Sequence, residues 1–218
     1  MAYRVIIVGA SGLIGSSLLS ALIRSEQIAE ITLLLRNPLS ISNPKVKEIV
    51  LNFDKIDNYA SKINGDIIYC CLGTTKSKSP EQNNYRKVDL EYPLNLAKIG
   101  LQNGISQFHL VSSLGASSES KNAYLKLKGE LENELKKLNI PSLHIYQPSF
   151  LEGKRQENRL LERIMMPIMK LLNPILLGPL ENYRSIKASD VAEAMMKQSI
   201  KELKGTFTYP SKQIKELA

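Results

Sequence analysis

The sequence has few of the side chains that hold metals or build disulfide frameworks. Its 218 residues include only two cysteines, Cys70 and Cys71, and adjacent thiols in an apolar run form neither a secreted framework nor a tetrahedral zinc site. Both thiols are predicted to be packing residues. The two histidines, His109 and His144, have apolar neighbours and no cysteine or second histidine at ligand spacing. We expect hydrogen-bonded core histidines and no metal.

Long uninterrupted hydrophobic runs are also missing. The longest apolar stretch, residues 164–180, contains Lys170 and three prolines, which do not suit a membrane-spanning helix of about 20 apolar residues. The N-terminus leads directly into a strand-like run and lacks the basic region and the cleavage site of a signal peptide. The cysteines suit a reducing compartment. Together these absences predict a cytoplasmic protein without a membrane span.

Charge of one sign is in excess, but it is scattered. The 29 lysines and arginines outnumber the 21 acidic residues, which gives a formal net charge of +8. Because the basic residues are spread along the chain, a solvated surface explains them better than a nucleic-acid footprint. A content of 43% hydrophobic and 23% charged residues is that of an ordinary globular protein. We expect a small-molecule substrate and no nucleic-acid partner.

Short apolar runs alternate with amphipathic stretches of helical length. The runs are continuous, as in strands covered on both faces, and strands are predicted at 4–8, 31–36, 48–52, 66–72, 107–112 and 142–146. Helices are predicted at 13–24, 84–103 and 124–138, the last with leucines along one side and with lysines and glutamates on the other. This alternation predicts an α/β fold, a doubly wound parallel sheet of Rossmann-like type, in a single domain over residues 1–218.

The pattern loosens after residue 150. A proline-broken apolar helix is predicted at 157–172, a helix near 188–199 and a last strand at 206–209. We expect the segment from about 150 to 185 to form a small helical region on the substrate side. Its methionines, Met165, Met166 and Met169, suit an apolar substrate pocket, a homodimer surface or a core helix.

A glycine-rich turn joins the first predicted strand to the first predicted helix. Gly9 permits a tight turn, Gly12 lets the backbone approach a pyrophosphate, and Gly15 lets the helix pack close to the sheet. The free N–H groups and the dipole at that helix end then favour phosphate. The candidate phosphate-binding residues are Gly9, Ser11, Gly12, Leu13, Ile14 and Gly15.

Two further candidates stand at strand ends, where ligands of such sheets bind. Arg36 ends the second predicted strand, at the position where NAD-binding proteins carry an acid for the ribose 2′-hydroxyl. A guanidinium suits a 2′-phosphate, so we expect NADP(H) rather than NAD(H). Asp54 follows the third strand and could either bond the adenine amino group or cap the next segment.

A serine pair, a tyrosine and a lysine follow the fifth predicted strand. Tyr124 and Lys128 are four residues apart, so they share one face of a helix. A free phenol has a pKa of about 10, and a neighbouring ammonium lowers it by stabilising the phenolate. A serine hydroxyl can hold a substrate oxygen. Strand alternation puts Ser112 and Ser113 on opposite faces, so only one of them can face a cofactor.

These motifs resemble the extended and atypical branches of the short-chain dehydrogenase/reductase superfamily, including proteins labelled nucleoside-diphosphate-sugar epimerases. The resemblance covers residues 3 to about 200 and is most specific at Cys-Cys-Leu-Gly-Thr-Thr, residues 70–75. It implies that Ser113 orients the reacting oxygen, that Tyr124 is the acid/base, and that Lys128 also bonds the nicotinamide ribose. It further implies cofactor contacts from Leu72, Gly73, Thr74, Tyr124, Lys128, Pro148 and Phe150.

Three functions are compatible with this pattern. The first is an NADP(H)-dependent oxidoreductase that moves a hydride between the nicotinamide and a carbonyl or alcohol carbon. The second is a cofactor-binding regulatory or interaction protein with little chemistry, which the presence of both Tyr124 and Lys128 disfavours. The third is a sugar-nucleotide epimerase. A chain of 218 residues leaves little room for the larger substrate domain of such an enzyme, and the eleven positions from Ser113 to Tyr124 are fewer than in those epimerases.

Overall fold

The computed structural model of the chain describes residues 2–73, 85–152 and 178–218. Seven parallel strands form one sheet in the order β3-β2-β1-β4-β5-β6-β9, and a second pair, β7 and β8, forms a small parallel sheet. The strands are β1 (Tyr3–Val8), β2 (Ile28–Leu35), β3 (Val46–Val50), β4 (Ile67–Cys70), β5 (Gln107–Val111), β6 (Ser142–Gln147), β7 (Leu151–Glu152), β8 (Ile186–Lys187) and β9 (Gly205–Pro210).

Helices follow most of these strands. They are α1 (Leu13–Arg24), α2 (Tyr92–Gln102), α3 (Ala123–Lys137), α4 (Ala188–Ser199) and α5 (Ser211–Leu217), with 3₁₀ segments at Phe53–Lys62 and Gly178–Tyr183. A π-helical turn, Lys87–Glu91, leads into α2. Among the described residues, no helix is both long and apolar enough to cross a bilayer.

The sheet is covered on both faces, which explains why its strands are continuously apolar. Val5 and Ile7 of β1 face a core shared with α1 and α4, whereas Ile6 and Val8 face a second core shared with α2 and α3. Successive side chains of a strand point to opposite faces, so all four positions of β1 from Val5 to Val8 are buried.

The strand order places a switch point between β1 and β4. From β1 the sheet grows in one direction through β2 and β3, and in the other through β4, β5, β6 and β9. In doubly wound sheets the crevice at such a point, beyond the carboxyl ends of the strands, is where ligands bind. The turn after β1 and the segment after β4 therefore border the expected site.

The predicted doubly wound α/β fold is confirmed, and α1 has the predicted bounds. Several elements differ in detail. The helix predicted at 84–103 contains the π-helical turn, the short strands β7 and β8 pair across the segment expected to be helical, and α5 was not predicted. The helix predicted at 157–172, with its three methionines, lies outside the described residues. In α3, Lys128 and Glu132 are buried although their charge predicted a solvent-facing side.

Candidate functional site

The turn after β1 has a backbone that only glycine adopts without strain. Gly9 has a φ of +84°, and a Cβ there would lie 2.6 Å from the carbonyl oxygen of Cys71. A Cβ on Gly15 would fall far inside van der Waals contact with the Gly9 carbonyl oxygen. Gly9 and Gly15 thus have the conformational roles predicted for them, because α1 begins directly against the turn that leaves β1.

The N-terminus of α1 suits an anion. Gly12 is the N-cap in an extended conformation, no side chain caps the helix, and its first turn contains no acidic residue. The amides of the first turn, Leu13, Ile14 and Gly15, therefore have no intrahelical acceptor and carry the positive end of the helix dipole. With the exposed Ser11 beside them, these residues fit the phosphates of a dinucleotide.

Arg36 follows β2, and Asp54 follows β3. Arg36 is exposed. The Asp54 carboxylate accepts hydrogen bonds from Lys87 Nζ at 2.8 Å and from the Tyr92 hydroxyl at 2.9 Å, and the bond from Lys87 lowers the pKa of Asp54. The alternative that Asp54 is an N-cap is wrong: Asn52 caps the segment by accepting from the Asp54 amide at 3.0 Å.

Tyr124 and Lys128 lie close together at the start of α3. Asn122 caps the helix by accepting from the amides of Tyr124 and Leu125, which fixes its first turn. Lys128 Nζ lies 5.9 Å from the centre of the Tyr124 ring and donates to the carbonyl oxygen of Leu72 at 3.2 Å. A Cβ on Gly73 would lie 3.8 Å from the same Nζ. The lysine thus links the tyrosine to the segment after β4.

The residue that sequence analysis missed is Asp89. Its carboxylate lies 3.0 Å from Lys128 Nζ, and the two side chains are 0% and 1% exposed. Burial is the largest single influence and lowers the pKa of Lys128, but the charge and hydrogen bond of Asp89, together with the charges of Tyr124 and Cys70, raise the pKa overall. Little in the sequence indicated this, because Asp89 has other charged residues close by, Arg86, Lys87 and Glu91.

A second phenol, that of Tyr85, belongs to the same electrostatic cluster. Burial raises its pKa, the charges of Asp89 and Tyr124 raise it further, and Lys128 lowers it. Its sequence position gave no sign of this, because Tyr85 and Asp89 are one turn apart in a stretch distant from Tyr124. The site therefore contains two tyrosines around one buried ion pair.

The two serines after β5 have different surroundings. The Ser112 hydroxyl is buried and donates to Glu132 Oε1 at 2.5 Å. Ser113 is partly exposed, and its hydroxyl has no hydrogen-bond partner within the described parts of the chain. Of the two hydroxyls, that of Ser113 is the one free to bond a ligand, and its role as the catalytic serine stays a prediction.

The loop after β6 lies beside Ser113. The Leu114 amide donates to the carbonyl oxygen of Pro148 at 2.9 Å, and the Ile186 amide donates to that of Phe150 at 2.9 Å. Pro148 is thus held next to the neighbour of Ser113, and Phe150 is held against β8. Thr74 lies outside the described residues. Within the parts of the chain that the structure covers, no three His, Cys, Asp or Glu side chains are grouped to hold a metal ion.

The two histidines and Cys70 lie in the core, and Cys71 lies at its edge. His109 and His144 are buried, and both ring nitrogens of each have hydrogen-bond partners, which confirms their role as core side chains. Cys70 is buried in the core and Cys71 is partly exposed. Burial raises the pKa of the Cys70 thiol to about 11, so it stays protonated at neutral pH.

A glycine turn and an uncapped helix N-terminus at the switch point of a parallel doubly wound sheet form the arrangement that binds dinucleotides. A family model described as NAD(P)H-binding matches residues 9–163, and the chain belongs to this family. The expected superfamily membership is thereby confirmed.

Curated relatives include Protein HTATIP2 of Rattus norvegicus, which is 35% identical over 159 residues. The aligned part covers 71% of this chain and 65% of the rat protein, just under two thirds of its length. Protein FMP52, mitochondrial, of Coccidioides immitis (strain RS) is 29% identical over 227 residues, which cover 97% of this chain and 92% of that protein.

Solved structures show the same fold. The UDP-N-acetylglucosamine 4-epimerase from Methanobrevibacter ruminantium M1, in complex with UDP-N-acetylmuramic acid, superimposes with a TM-score of 0.71 at 16% identity. The match covers 96% of this chain and 76% of the epimerase. At this identity the likeness concerns the fold alone.

The relatives contradict one expectation. The sequence predicted a cytoplasmic protein, but FMP52 of Coccidioides immitis and of Candida albicans are both named mitochondrial. The cytoplasmic prediction is therefore wrong. It relied on the absence of a secretory signal and on two unpaired thiols, and neither feature distinguishes the cytoplasm from other compartments in which thiols stay reduced.

Proposed function

We propose that the protein is an NADP(H)-dependent oxidoreductase that transfers a hydride to or from a carbonyl or alcohol carbon. The observation that supports it most is the position of Lys128, which is buried, charged, next to the Tyr124 ring and bonded to Leu72 at the switch point. Few physical reasons other than chemistry or cofactor binding favour the burial of a lysine at a ligand-binding edge.

In this mechanism the chain moves one proton and positions the substrate oxygen. A bound nicotinamide supplies or accepts the hydride. The Tyr124 hydroxyl gives a proton to the substrate oxygen in reduction and takes it back in oxidation, while the Ser113 hydroxyl donates a hydrogen bond to the same oxygen. The Lys128 ammonium stabilises the phenolate left on Tyr124 and is positioned to bond the nicotinamide ribose.

The buried carboxylate of Asp89 favours a second candidate. Asp89 compensates the charge of Lys128 and so weakens the field that the ammonium exerts on Tyr124. A protein that binds NADP(H) tightly but performs little catalysis, and acts on a partner instead, agrees with this arrangement. Both candidates use the same cofactor site and differ in whether Tyr124 transfers a proton.

The test replaces Tyr124 by phenylalanine and measures NADPH binding and NADPH oxidation over a panel of aldehydes, ketones and quinones. The oxidoreductase proposal expects unchanged cofactor affinity and turnover lower by a factor of about a hundred or more. Lys128→Ala should weaken both binding and turnover. The exposed Tyr183 provides the matched control, Tyr183→Phe, which should behave as wild type.

Two outcomes would contradict the oxidoreductase proposal. Wild-type turnover in Tyr124→Phe would remove Tyr124 from the chemistry. Tight NADPH binding without turnover on any carbonyl of the panel would favour the regulatory candidate.

Cofactor choice depends on Arg36. The guanidinium after β2 can form charge-assisted hydrogen bonds to a 2′-phosphate, each worth roughly 1.5–3 kcal/mol, or about ten- to a hundredfold in affinity. Calorimetry should show NADP(H) bound at least about tenfold tighter than NAD(H), with Arg36→Ala removing most of the difference.

Arg4 is the control for this measurement, because it lies at the opposite end of β1, where its guanidinium is 3.6 Å from Asp66. Arg4→Ala should keep the preference for NADP(H). Equal affinities in the wild type, or a preference that survives in Arg36→Ala, would show that Arg36 does not select the cofactor.

A further inference from the structure

One face of α3 reaches the carboxyl ends of three neighbouring strands. Tyr124, Lys128 and Glu132 follow one another at intervals of four residues and so share this face. Lys128 bonds the carbonyl oxygen of Leu72 after β4. One turn further along, Glu132 contacts the ends of β5 and β6, and neither sequence motif nor relative assigns it a role.

Glu132 joins those two strand ends through its carboxylate. Its Oε1 accepts from the Ser112 hydroxyl at 2.5 Å, and the Gln147 side-chain amide lies 2.9 Å from Oε1 and 3.1 Å from Oε2. Glu132 is 4% exposed, and Lys136 Nζ is 3.9 Å away at the helix surface. All the oxygen atoms of this buried group therefore have polar partners.

A carboxylate is an unfavourable choice if packing alone is required. Burying a charge costs free energy, and an apolar side chain of similar volume often gives equal or greater stability. What Glu132 adds is a fixed spacing between two segments. Two backbone hydrogen bonds join the same two segments. The Ser112 amide donates to the Tyr146 carbonyl oxygen at 2.7 Å, and the Leu114 amide donates to the Pro148 carbonyl oxygen at 2.9 Å.

We propose that Glu132 is a positioning residue: its carboxylate joins Ser112 to Gln147 and thereby fixes the segments that carry Ser113 and Pro148. Ser113 lies between the two backbone bonds, and its neighbour Ser112 is anchored by Glu132. The hydroxyl of Ser113 is thus held at one place relative to the loop after β6. The proposal depends on the proposed function only in giving Ser113 a substrate oxygen to hold.

The first measurement is amide hydrogen exchange of the full-length protein with saturating NADPH. Glu132→Gln places two amide groups opposite each other, so the Leu114 amide should exchange about tenfold faster while that of Ile7 in β1 is unchanged. The exchanged pair Glu132→Gln with Gln147→Glu restores one carboxylate and one amide, and should return Leu114 to within about twofold of wild type. Glu134→Gln, at the outer surface of α3, is the control and should change nothing.

Unchanged exchange at Leu114 in Glu132→Gln, or failure of the double variant to restore it, would overturn the proposal. Uniformly faster exchange, including at Ile7, would show general destabilisation and would also count against it. This measurement needs no substrate, so its result is independent of whether the protein proves to be an oxidoreductase.

The second measurement is NADPH oxidation with benzaldehyde as the probe. Glu132→Gln should lower kcat about tenfold with little change in the KM for NADPH, and the effect should vanish when Ser113 is already alanine. An effect that persists in the Ser113→Ala background overturns action through Ser113. Wild-type turnover in Ser113→Ala alone would instead contradict the proposed function and leave the exchange result in force.

Discussion

At the level of single residues, Lys128 and Asp89 form a buried ion pair in the site. Each group alone would be strongly destabilised by loss of water, and the pair is favourable only because the two charges lie 3.0 Å apart. Lys128 also donates a hydrogen bond to the carbonyl oxygen of Leu72. The pair therefore fixes the lysine at the switch point and makes α3 depend on the π-helical turn that precedes α2.

Asp89→Asn keeps the shape of the side chain and removes its charge. We expect a loss of about 3–5 kcal/mol in the free energy of unfolding, because Lys128 is left buried without a compensating charge. Urea unfolding near neutral pH measures this. Asp54→Asn is the control, since its partner Lys87 and Asp54 itself are both well exposed, and it should leave stability almost unchanged.

The Asp89→Asn variant should also respond differently to pH. Without Asp89, burial lowers the pKa of Lys128, so the folded variant loses a proton more readily than the unfolded chain and gains stability as the pH rises from about 8 to 10. In the wild type the pKa of Lys128 is raised, so no such gain is expected. A loss below about 1 kcal/mol, or identical pH dependence in both proteins, would show that the pair is not energetically important.

At the level of elements, β4, β5, β6 and β9 share a buried polar layer under α4 and α5. In β5, the Gln107 amide donates to the Ser199 carbonyl, so its oxygen must accept from His109 Nε2 at 3.1 Å. His109 Nδ1 then accepts from the Tyr146 hydroxyl. The ring is neutral, with its proton on Nε2.

The neighbouring ring in β6 repeats this pattern. The Ser142 hydroxyl donates to the Leu203 carbonyl, so it accepts from His144 Nε2, and His144 Nδ1 accepts from the Tyr209 hydroxyl at 2.9 Å. The two imidazoles stack with ring centres 4.4 Å apart. Burial lowers the pKa of His144 to about 4 and that of His109 well below its usual value.

This layer predicts loss of stability in mild acid. Each histidine binds a proton in the unfolded chain below a pH of about 6.5 but stays neutral when folded, so each removes about 1.4 kcal/mol of stability per pH unit as the pH falls toward about 4. Urea unfolding between these pH values measures the slope. His144→Gln should roughly halve it.

Carboxylates are the alternative source of acid sensitivity. Carboxylates with a lowered pKa, such as Glu48 and Glu181, reduce the stability of the protein only below their ordinary pKa of about 4.5. The upper part of the pH range from about 6.5 to about 4 therefore reports the histidines. Nitrogen NMR should find the proton on Nε2 of both rings. A flat stability profile between pH 6.5 and 5 would contradict the assignment of both histidines as neutral.

At the level of the whole molecule, local patterns determined most of what could be predicted. The β1–α1 turn and the bounds of α1 follow from neighbouring residues, and continuous apolar strands follow from burial on both faces. Asp89 and Glu132 could not be found in this way, because each is explained by a partner far along the chain. Glu132 stands among lysines and glutamates, and only the approach of Ser112 and Gln147 shows that it is buried.

The net charge of +8 predicts how salt affects cofactor binding. NADPH carries an additional phosphate compared with NADH, so a positive protein attracts it more strongly until ions screen the field. Raising the ionic strength from about 0.05 to 0.3 M should weaken NADPH binding about threefold and NADH binding less. Calorimetry in chloride and in glutamate salts separates screening by ions from competition between the anion and the cofactor phosphates at the N-terminus of α1. Equal salt dependence for NADPH and NADH would contradict this prediction.

The position of β9 has a consequence for synthesis on the ribosome. Strands β1 to β3 are complete once residue 50 has emerged, but Ser142 and His144 of β6 have partners that come later, the Leu203 carbonyl and the Tyr209 hydroxyl of β9. Until residue 209 is available, β6 is an open edge with two unsatisfied buried groups, and the layer below α4 cannot close. We therefore expect this layer to form only after β9 has left the ribosome, in a late step of folding.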